Sequence, residues 1–275
     1  MTTVPYTWFE KGDLRLFKFK NLTEFNDEID HCFTTRLGGV SQGECYSLNM
    51  GFNRNDLREN VLENYRLVCD TMGLNIEDLV LSRQVHDNKI YKVSIKDKGK
   101  GIVKENDLLG YDGLMTNEKG IALVTFYADC VPLFFFDPEN KAIALSHSGW
   151  RSTKKQIAAE TIKAMRSEFG SDRSKLICAI GPSIRQCCFE VGDEVVQEFT
   201  EEIPWSHNFC ERRENDKWHI DLQGIIKKTL LNEGILEHNI SDANLCTKCN
   251  KDIFFSHRGD KGKTGSMTAI MQLLK

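Results

Sequence analysis

The chain has 275 residues, of which 40% are hydrophobic and 28% are charged, and its formal net charge is −4. These values are ordinary for a globular protein with a sizeable core, and they exclude a global basic field that would attract nucleic acid or anionic membranes. The N-terminal segment lacks the pattern of a signal peptide, and the most apolar run, at 131–136, is far too short to span a bilayer. Ten cysteines are scattered through the chain, which favours reduced thiols. We therefore expect a cytoplasmic protein without nucleic-acid or membrane partners.

The first clear elements in chain order are one helix and two strands. Apolar residues at helical spacing predict a helix that Asn55 or Asp56 caps and that runs to Met72, with Gly73 as its stop. The runs 79–85 and 89–93 are strand-like, and the Asp-Asn pair between them is typical of a turn. This pattern predicts a β-hairpin with His86 at its tip.

Three further strand-like runs follow at 121–127, 131–136 and 141–146. An Asp-Pro-Glu-Asn turn joins the second run to the third, which predicts a hairpin between them. The third run ends in the segment 147–151, His-Ser-Gly-Trp-Arg, and enters a helix that Gly170 terminates.

The last predicted elements are a strand at 176–180, a helix from Asp221 and a strand at 253–256. Hairpins first and strand–helix alternation later predict an α+β fold. We expect a single domain, residues 1–275, with mixed β-sheets covered by helices, because no linker or repeat divides the chain. Neither GxGxxG nor GxxxxGK[ST] occurs in the sequence, so the two common nucleotide cradles are not expected.

A trio of polar residues at the ends of apolar runs is the leading candidate for the chemistry: His86, Cys130 and His147. Turns that follow strands are where functional side chains lie in layered folds. Imidazole and thiolate suit Zn²⁺, and three protein ligands leave a fourth position for water or substrate, as in catalytic sites. The spacing matches no standard zinc pattern, and a lone Cys or His is more often a packed structural residue. From the residues alone, both interpretations stay open.

An anion site is the second candidate. Free N–H groups at the helix start after Gly149 bind anions, and Arg151, with Ser148 nearby, adds donors for phosphate or carboxylate. Arg36 lies in a loop, 34–41, whose glycines permit close approach of a ligand. A solvated first-turn position is the alternative interpretation of Arg151.

Two cysteine pairs have weaker signals. Cys246 and Cys249 form one CxxC, which without a second CxxC is half of a structural zinc site. The adjacent Cys187 and Cys188 are interpreted as packing residues. We therefore predict neither metal binding nor redox chemistry at these four positions.

Eight segments of the chain, taken in order, resemble the YfiH family, whose other names are laccase domain protein, polyphenol oxidase and peptidoglycan editing factor. They are TTRLGGVSQGECYSLNMG, RQVHDNKIYKV, DGLMTN, TFYADCVPLFFFD, ALSHSGWRS, IGPSIRQCCFEVGDEV, HIDLQGI and LCTKCNKDIFFSHRGDKGKTG. The resemblance runs from about residue 31 to 274. It implies a YfiH-like layered fold and a zinc site at His86, Cys130 and His147, with copper as the alternative metal.

The resemblance also implies an activity. It is that of a purine nucleoside phosphorylase, which converts adenosine, inosine or methylthioadenosine to free base and a ribose 1-phosphate, with adenosine deamination as a side activity. Cys130, Asp129 and Arg151 would form the catalytic set, and Asp129 or Glu190 would carry protons during deamination. Arg36, Ser148 and Arg151 would bind phosphate. We expect purine nucleosides and phosphate as partners, and a monomer.

Two departures from the family pattern concern the ligand loops. Ser266 stands where the family often has an arginine, and the segment 53–56, Asn-Arg-Asn-Asp, stands where a Gly-Asp pair is common. Three alternatives to the phosphorylase are a cysteine hydrolase with Cys130 as nucleophile and His147 as base, a metal-dependent phenol oxidase, and a metal-stabilised interaction protein. Seven histidines, spread singly, disfavour multicopper oxidation.

Overall fold

The computed structural model of the chain describes residues 4–214 and 216–274. The predicted domain, residues 1–275, therefore extends slightly beyond the described residues. Within them the strands are β1 Tyr6–Lys11, β2 Leu14–Phe19, β3 Ile29–Thr34, β4 Leu79–Leu81, β5 Ile90–Lys92, β6 Gly113–Thr116, β7 Ala122–Tyr127, β8 Val131–Asp137, β9 Ala142–Ser148, β10 Ile177–Ile180, β11 Glu190–Val191, β12 Cys210–Arg212, β13 Trp218–Ile220, β14 Ile240–Asp242 and β15 Met267–Leu273. The α-helices are α1 Lys20–Thr23, α2 Arg58–Met72, α3 Trp150–Lys154, α4 Ile157–Phe169, α5 Asp193–Glu202 and α6 Leu222–Asn232.

The strands of the described ranges form two six-stranded sheets and one three-stranded sheet. The strand order is β1-β2-β3-β15-β7-β4 in the first sheet and β14-β10-β8-β9-β6-β5 in the second. The small sheet has the order β11-β13-β12. Both large sheets are mixed, because β4 pairs parallel with β7, β5 with β6, and β10 with β14, among antiparallel neighbours.

The two large sheets pack face to face, and helices cover their outer faces. Phe33 and Tyr127 of the first sheet share one core cluster with Phe134 and Leu145 of the second. The outer face of the first sheet packs against α2, and that of the second packs against α4 and α6. The result is a four-layer arrangement of helix, sheet, sheet and helix, and the predicted α+β fold with mixed sheets covered by helices is confirmed.

The continuous apolar sequence of β8 follows from its position between two layers. Leu133 and Phe135 point toward the helices, whereas Phe134 and Phe136 point toward the other sheet. Successive side chains of a strand face opposite sides, so a strand that is buried on both faces needs apolar residues at every position. Each such side chain contributes about 1.5–3 kcal/mol through burial.

The C-terminal ends of α2 and α4 and the central hairpin agree with the sequence predictions, whereas Leu57, and not Asn55 or Asp56, lies at the N-cap of α2. Gly73 (φ 65°) and Gly170 (φ 74°) stop α2 and α4 in the left-handed conformation that glycine adopts at low cost. Strands β8 and β9 pair antiparallel around the predicted turn. None of the helices in the described part of the chain is long and apolar enough to cross a membrane.

Two predicted elements are wrong. The runs 79–85 and 89–93 do not form a hairpin, because β4 pairs with β7 in the first sheet and β5 pairs with β6 in the second. The segment between them passes from one sheet to the other. The predicted strand at 253–256 is irregular chain, and its aromatic side chains are buried there without a strand partner.

Candidate metal centre

The fold brings His86, Cys130 and His147 together. The Nε2 atom of His86 lies 3.8 Å from the Sγ atom of Cys130, and the ligand atoms of all three residues lie within 4.8 Å of one another. Tetrahedral zinc, with Zn–N about 2.0–2.1 Å and Zn–S about 2.3 Å, holds neighbouring ligand atoms roughly 3.3–3.6 Å apart. Both the donor atoms and their separations fit a zinc ion.

The three side chains come from one end of the sheet sandwich. His86 lies between β4 and β5, Cys130 lies between β7 and β8, and His147 lies in β9. A Cβ atom on Gly149 would lie 2.6 Å from Cδ2 of His86 and 3.2 Å from Sγ of Cys130. Because no side chain fits in that space, glycine is required where α3 begins.

Asp112 is a functional residue that the sequence analysis missed. Its carboxylate is fully buried, and Oδ1 lies 2.7 Å from Nδ1 of His147. The backbone N–H groups of Val85, His86 and Asp87 donate to the same carboxylate, each at 2.9 Å. Asp112 thus fixes the segment that carries one candidate ligand and the ring of another, as a carboxylate behind a metal-binding histidine does. The only sequence signal was its place in the DGLMTN segment.

The electrostatics of the cluster favour a thiolate. Burial raises the pKa of the Cys130 thiol, but the positive charge of His147 and hydrogen bonds from His147 and His86 outweigh burial and lower the pKa to about 6. Burial lowers the pKa of His147, whereas Cys130 and Asp112 raise it to about 9. Cys130 is therefore held in the form that binds metals or acts as a nucleophile.

Asp129, an expected proton carrier, accepts hydrogen bonds with both of its carboxylate oxygens. It is buried, and its φ of 88° lies in the left-handed region. Oδ1 accepts a hydrogen bond from Oγ1 of Thr247 at 2.6 Å, and Oδ2 accepts one from the backbone N–H of Arg258 at 2.7 Å. Both oxygens thus tie the connection that carries Cys130 to the C-terminal part of the chain. Glu190, the other candidate proton carrier, lies in β11 with its carboxylate 3.8 Å from Nε2 of His219.

Arg36 also ties loops together. Its Nε atom donates to the carbonyl of Tyr46 at 3.1 Å, and Nη1 donates to the carbonyl of Lys251 at 2.7 Å. The guanidinium lies 4.7 Å from the ring centroid of Phe255. These contacts hold the glycine loop against the C-terminal segment, and they engage donors that we expected to bind phosphate.

The other two expected phosphate ligands lie around the start of α3. Arg151 is exposed, with its guanidinium 4.2 Å from the ring centroid of Trp150. Ser148 is fully buried, and its Oγ lies 2.8 Å from Oγ1 of Thr153. Helix α3 has five residues, so the helix whose start was expected to bind an anion is short.

The two departures from the family pattern meet in space. Nε of Arg54 donates to Oγ of Ser266 at 2.8 Å, across 212 residues of sequence. Burial lowers the pKa of Arg54, while its interactions with Cys45 and Cys130 oppose that shift. Arg54 is therefore a half-buried cation within electrostatic range of Cys130. The sequence showed only that the two segments depart from the family pattern, and not that they meet.

The protein has two mixed sheets that pack face to face, helices that cover them, and a His–Cys–His cluster at one end. These features define a protein of the YfiH-like layered class. The chain belongs to the family described as Multi-copper polyphenol oxidoreductase laccase, which matches residues 30–274. The resemblance to the YfiH family is thereby confirmed.

Relatives along nearly the whole chain agree with this assignment. The chain is 34% identical over 269 residues to a Bacillus subtilis protein named Purine nucleoside phosphorylase YlmD, covering 97% of this chain and 96% of that protein. Its structure is similar to that of the Bacillus licheniformis hypothetical protein YfiH, with TM-score 0.90, 30% identity and coverage of 98% and 99%. YlmD from Geobacillus stearothermophilus gives the same TM-score of 0.90 and 30% identity, with coverage of 98% and 100%.

Proposed function

We propose that the protein is a zinc-dependent purine nucleoside phosphorylase that converts adenosine, inosine or methylthioadenosine and phosphate to free base and a sugar 1-phosphate. Adenosine deamination is proposed as its side activity. The structural observation that carries the proposal is the His86–Cys130–His147 cluster within electrostatic range of Arg54. The name of the Bacillus subtilis relative supports it.

The candidate ligands would hold zinc, with copper as the alternative metal. When bound, the ion supplies Lewis-acid polarisation of a substrate oxygen or nitrogen. Asp112 keeps Nδ1 of His147 hydrogen-bonded, so that Nε2 faces the cluster. His86 is placed by its own backbone N–H, which donates to the same carboxylate.

Phosphate is the nucleophile of the proposed reaction. One of its oxygens forms a bond to C1′ of the sugar, and the bond from C1′ to N9 of the purine breaks. The bonding electrons leave with the base, which takes up the proton that the hydrogen phosphate releases. A phosphate dianion needs a cation that is partly removed from water, because bulk solvent weakens the attraction. Arg54 meets this condition better than Arg151, which is exposed and lies over Trp150.

The test compares base release from inosine with and without phosphate, followed by chromatography. We expect free base and ribose 1-phosphate only when phosphate is present, and conversion of adenosine to inosine without phosphate. Both activities should disappear in His86→Ala and His147→Ala. His238→Ala, at an exposed histidine outside the cluster, is the control and should retain them. Equal base release with and without phosphate, or release that survives complete zinc removal, would refute the proposal.

The phosphate site has its own test. Arg54→Met should raise the KM for phosphate by about ten- to a hundred-fold, since a charge-assisted hydrogen bond contributes about 1.5–3 kcal/mol. Zinc content should not change. Arg151→Ala is the matched comparison, and a larger effect there than in Arg54→Met would assign the anion site to the start of α3.

A cysteine hydrolase is the second candidate, favoured by one observation. Asp112, His147 and Cys130 stand in the order of orienting carboxylate, base and thiolate nucleophile. Iodoacetamide separates the two functions, because a thiolate held by a metal is a poor free nucleophile. Protection of Cys130 until a chelator is added supports the phosphorylase, and immediate alkylation with loss of amidase activity supports the hydrolase.

The single catalytic domain, the monomeric state and the cytoplasmic location stay predictions.

A further inference from the structure

A second cluster of metal-binding side chains lies outside the candidate active centre. The Sγ atoms of Cys187, Cys188, Cys246 and Cys249 all lie within 4.8 Å of one another. Cys249 Sγ is 3.8 Å from that of Cys187 and 3.4 Å from that of Cys188. The CxxC therefore has a second pair after all, and the interpretation of Cys187 and Cys188 as packing residues is corrected.

The backbone brings the two pairs together through β10 and β14. These strands are parallel neighbours, so the segments that follow them leave the sheet at the same edge. Their pairing continues past the strand ends, where the N–H of Ser183 donates to Leu245 and the N–H of Thr247 donates to Ser183. A tight turn at Arg185 then carries one cysteine pair back toward the other, with the N–H of Cys188 donating to the Arg185 carbonyl at 2.8 Å.

The distances between the sulfur atoms suit a shared cation. A disulfide joins sulfur atoms about 2.03–2.05 Å apart, and all four cysteines are free thiols. In a tetrahedral site with Zn–S about 2.3 Å, neighbouring sulfur atoms are roughly 3.8 Å apart. Cys187 and Cys249 are exposed, and crowded exposed thiols oxidise readily unless a ligand protects them.

The surroundings of Cys246 agree with that geometry. Its sulfur accepts hydrogen bonds from the backbone N–H groups of Arg185 and Cys249. Backbone amides that point at a cysteine sulfur stabilise the thiolate, as in many metal sites.

We propose that Cys187, Cys188, Cys246 and Cys249 bind one structural zinc ion. The ion joins two loops that both hold Asp129. The N–H of Ile184, in the first loop, donates to the Asp129 carbonyl at 2.8 Å, and Thr247, in the second, donates to its carboxylate. Zinc at the four cysteines thus stabilises the connection between β7 and β8 that contains Cys130, without contacting substrate.

The test is the zinc content of the full-length protein, purified under reducing conditions without added metal. We expect two zinc ions per chain in the wild type and one in Cys249→Ser. Cys210→Ser is the matched control, because Cys210 is a half-buried free thiol outside the cluster, and it should retain two. Cys130→Ala should retain one. A count of one in the wild type and none in Cys249→Ser would support the four-cysteine site while contradicting the proposed catalytic zinc.

Cobalt absorption can be measured on the wild-type protein, so this test does not require that any variant folds. Co²⁺ added to metal-free wild-type protein should produce the intense thiolate-to-cobalt absorption of a four-thiolate site, in addition to the weaker band of a site with one thiolate. Equal zinc in the wild type and Cys249→Ser would overturn the proposal. So would a cobalt spectrum with only one thiolate ligand, or a disulfide between the two cysteine pairs detected by mass spectrometry after rapid alkylation.

Discussion

Replacing Asp112 by Asn tests the support behind the candidate metal centre. Oδ1 receives hydrogen bonds from Nδ1 of His147 and the N–H of His86, and Oδ2 receives them from the N–H groups of Val85 and Asp87. An Asn side chain places an NH₂ group against two of these donors in either orientation. Two hydrogen bonds are therefore lost in a fully buried site.

The magnitude follows from that count. Each hydrogen bond to a charged group contributes about 1.5–3 kcal/mol, so Asp112→Asn should lower the free energy of unfolding by about 3–6 kcal/mol. Loss of a supporting carboxylate typically lowers metal affinity by about ten- to a hundred-fold. We expect both effects, with some activity retained at saturating zinc, because the three candidate ligands are still present.

The assay is zinc competition against a chromophoric chelator, with urea unfolding of the same samples. Asp137→Asn is the matched control, since Asp137 is also fully buried and accepts backbone hydrogen bonds from Glu139 and Asn140. It lies at the end of β8 opposite Cys130. Its variant should lose stability and keep its zinc affinity. The reasoning fails if Asp112→Asn binds zinc at the active centre as tightly as the wild type does.

Two further predictions concern the close approach at Gly149 and the buried His31. Gly149→Ala should lower zinc affinity at least about tenfold, because the new Cβ would lie 2.6 Å from Cδ2 of His86; a chelator competition that shows wild-type affinity would contradict this. His31 accepts a hydrogen bond from the N–H of Phe19, and burial lowers its pKa to about 3. Between about pH 6.5 and 3, His31 is protonated in the unfolded chain and neutral in the folded chain. The free energy of unfolding therefore falls by about 1.4 kcal/mol per pH unit over this range as the pH is lowered. His31→Gln keeps an acceptor and should reduce this slope, as measured by urea unfolding at pH 7 and pH 5; an unchanged slope would contradict the assignment.

Local sequence signals predicted the local structure well. The C-terminal ends of α2 and α4 were predictable because apolar spacing and a following glycine are properties of one short segment. The β8–β9 hairpin was predictable because its turn residues lie between the two strands that pair. The helix after β9 was predicted as one element, but Gln156, at φ 57°, separates α3 from α4.

Partners distant in sequence were not predictable from these signals. The Asp-Asn pair after His86 resembles a hairpin turn, but Asp112 fixes that segment from 26 residues away. The strands on either side of this segment, β4 and β5, pair with strands of two different sheets. The candidate metal ligands could be selected from their places at the ends of apolar runs, but only the family resemblance favoured the ligand interpretation over packing, because their spacing matches no local pattern. Arg54 and the four-cysteine cluster depend on contacts that only the folded chain makes.

Two of the candidate ligands, His86 and Cys130, lie in the segments that pass from one large sheet to the other. Metal binding by these ligands would therefore be thermodynamically linked to separation of the sheets at this end, and the linkage would be reciprocal. A bound ion opposes any motion that moves the two crossing segments apart. Conversely, a substrate that enters by spreading the sheets would weaken metal binding, whereas one that binds without spreading them leaves it intact.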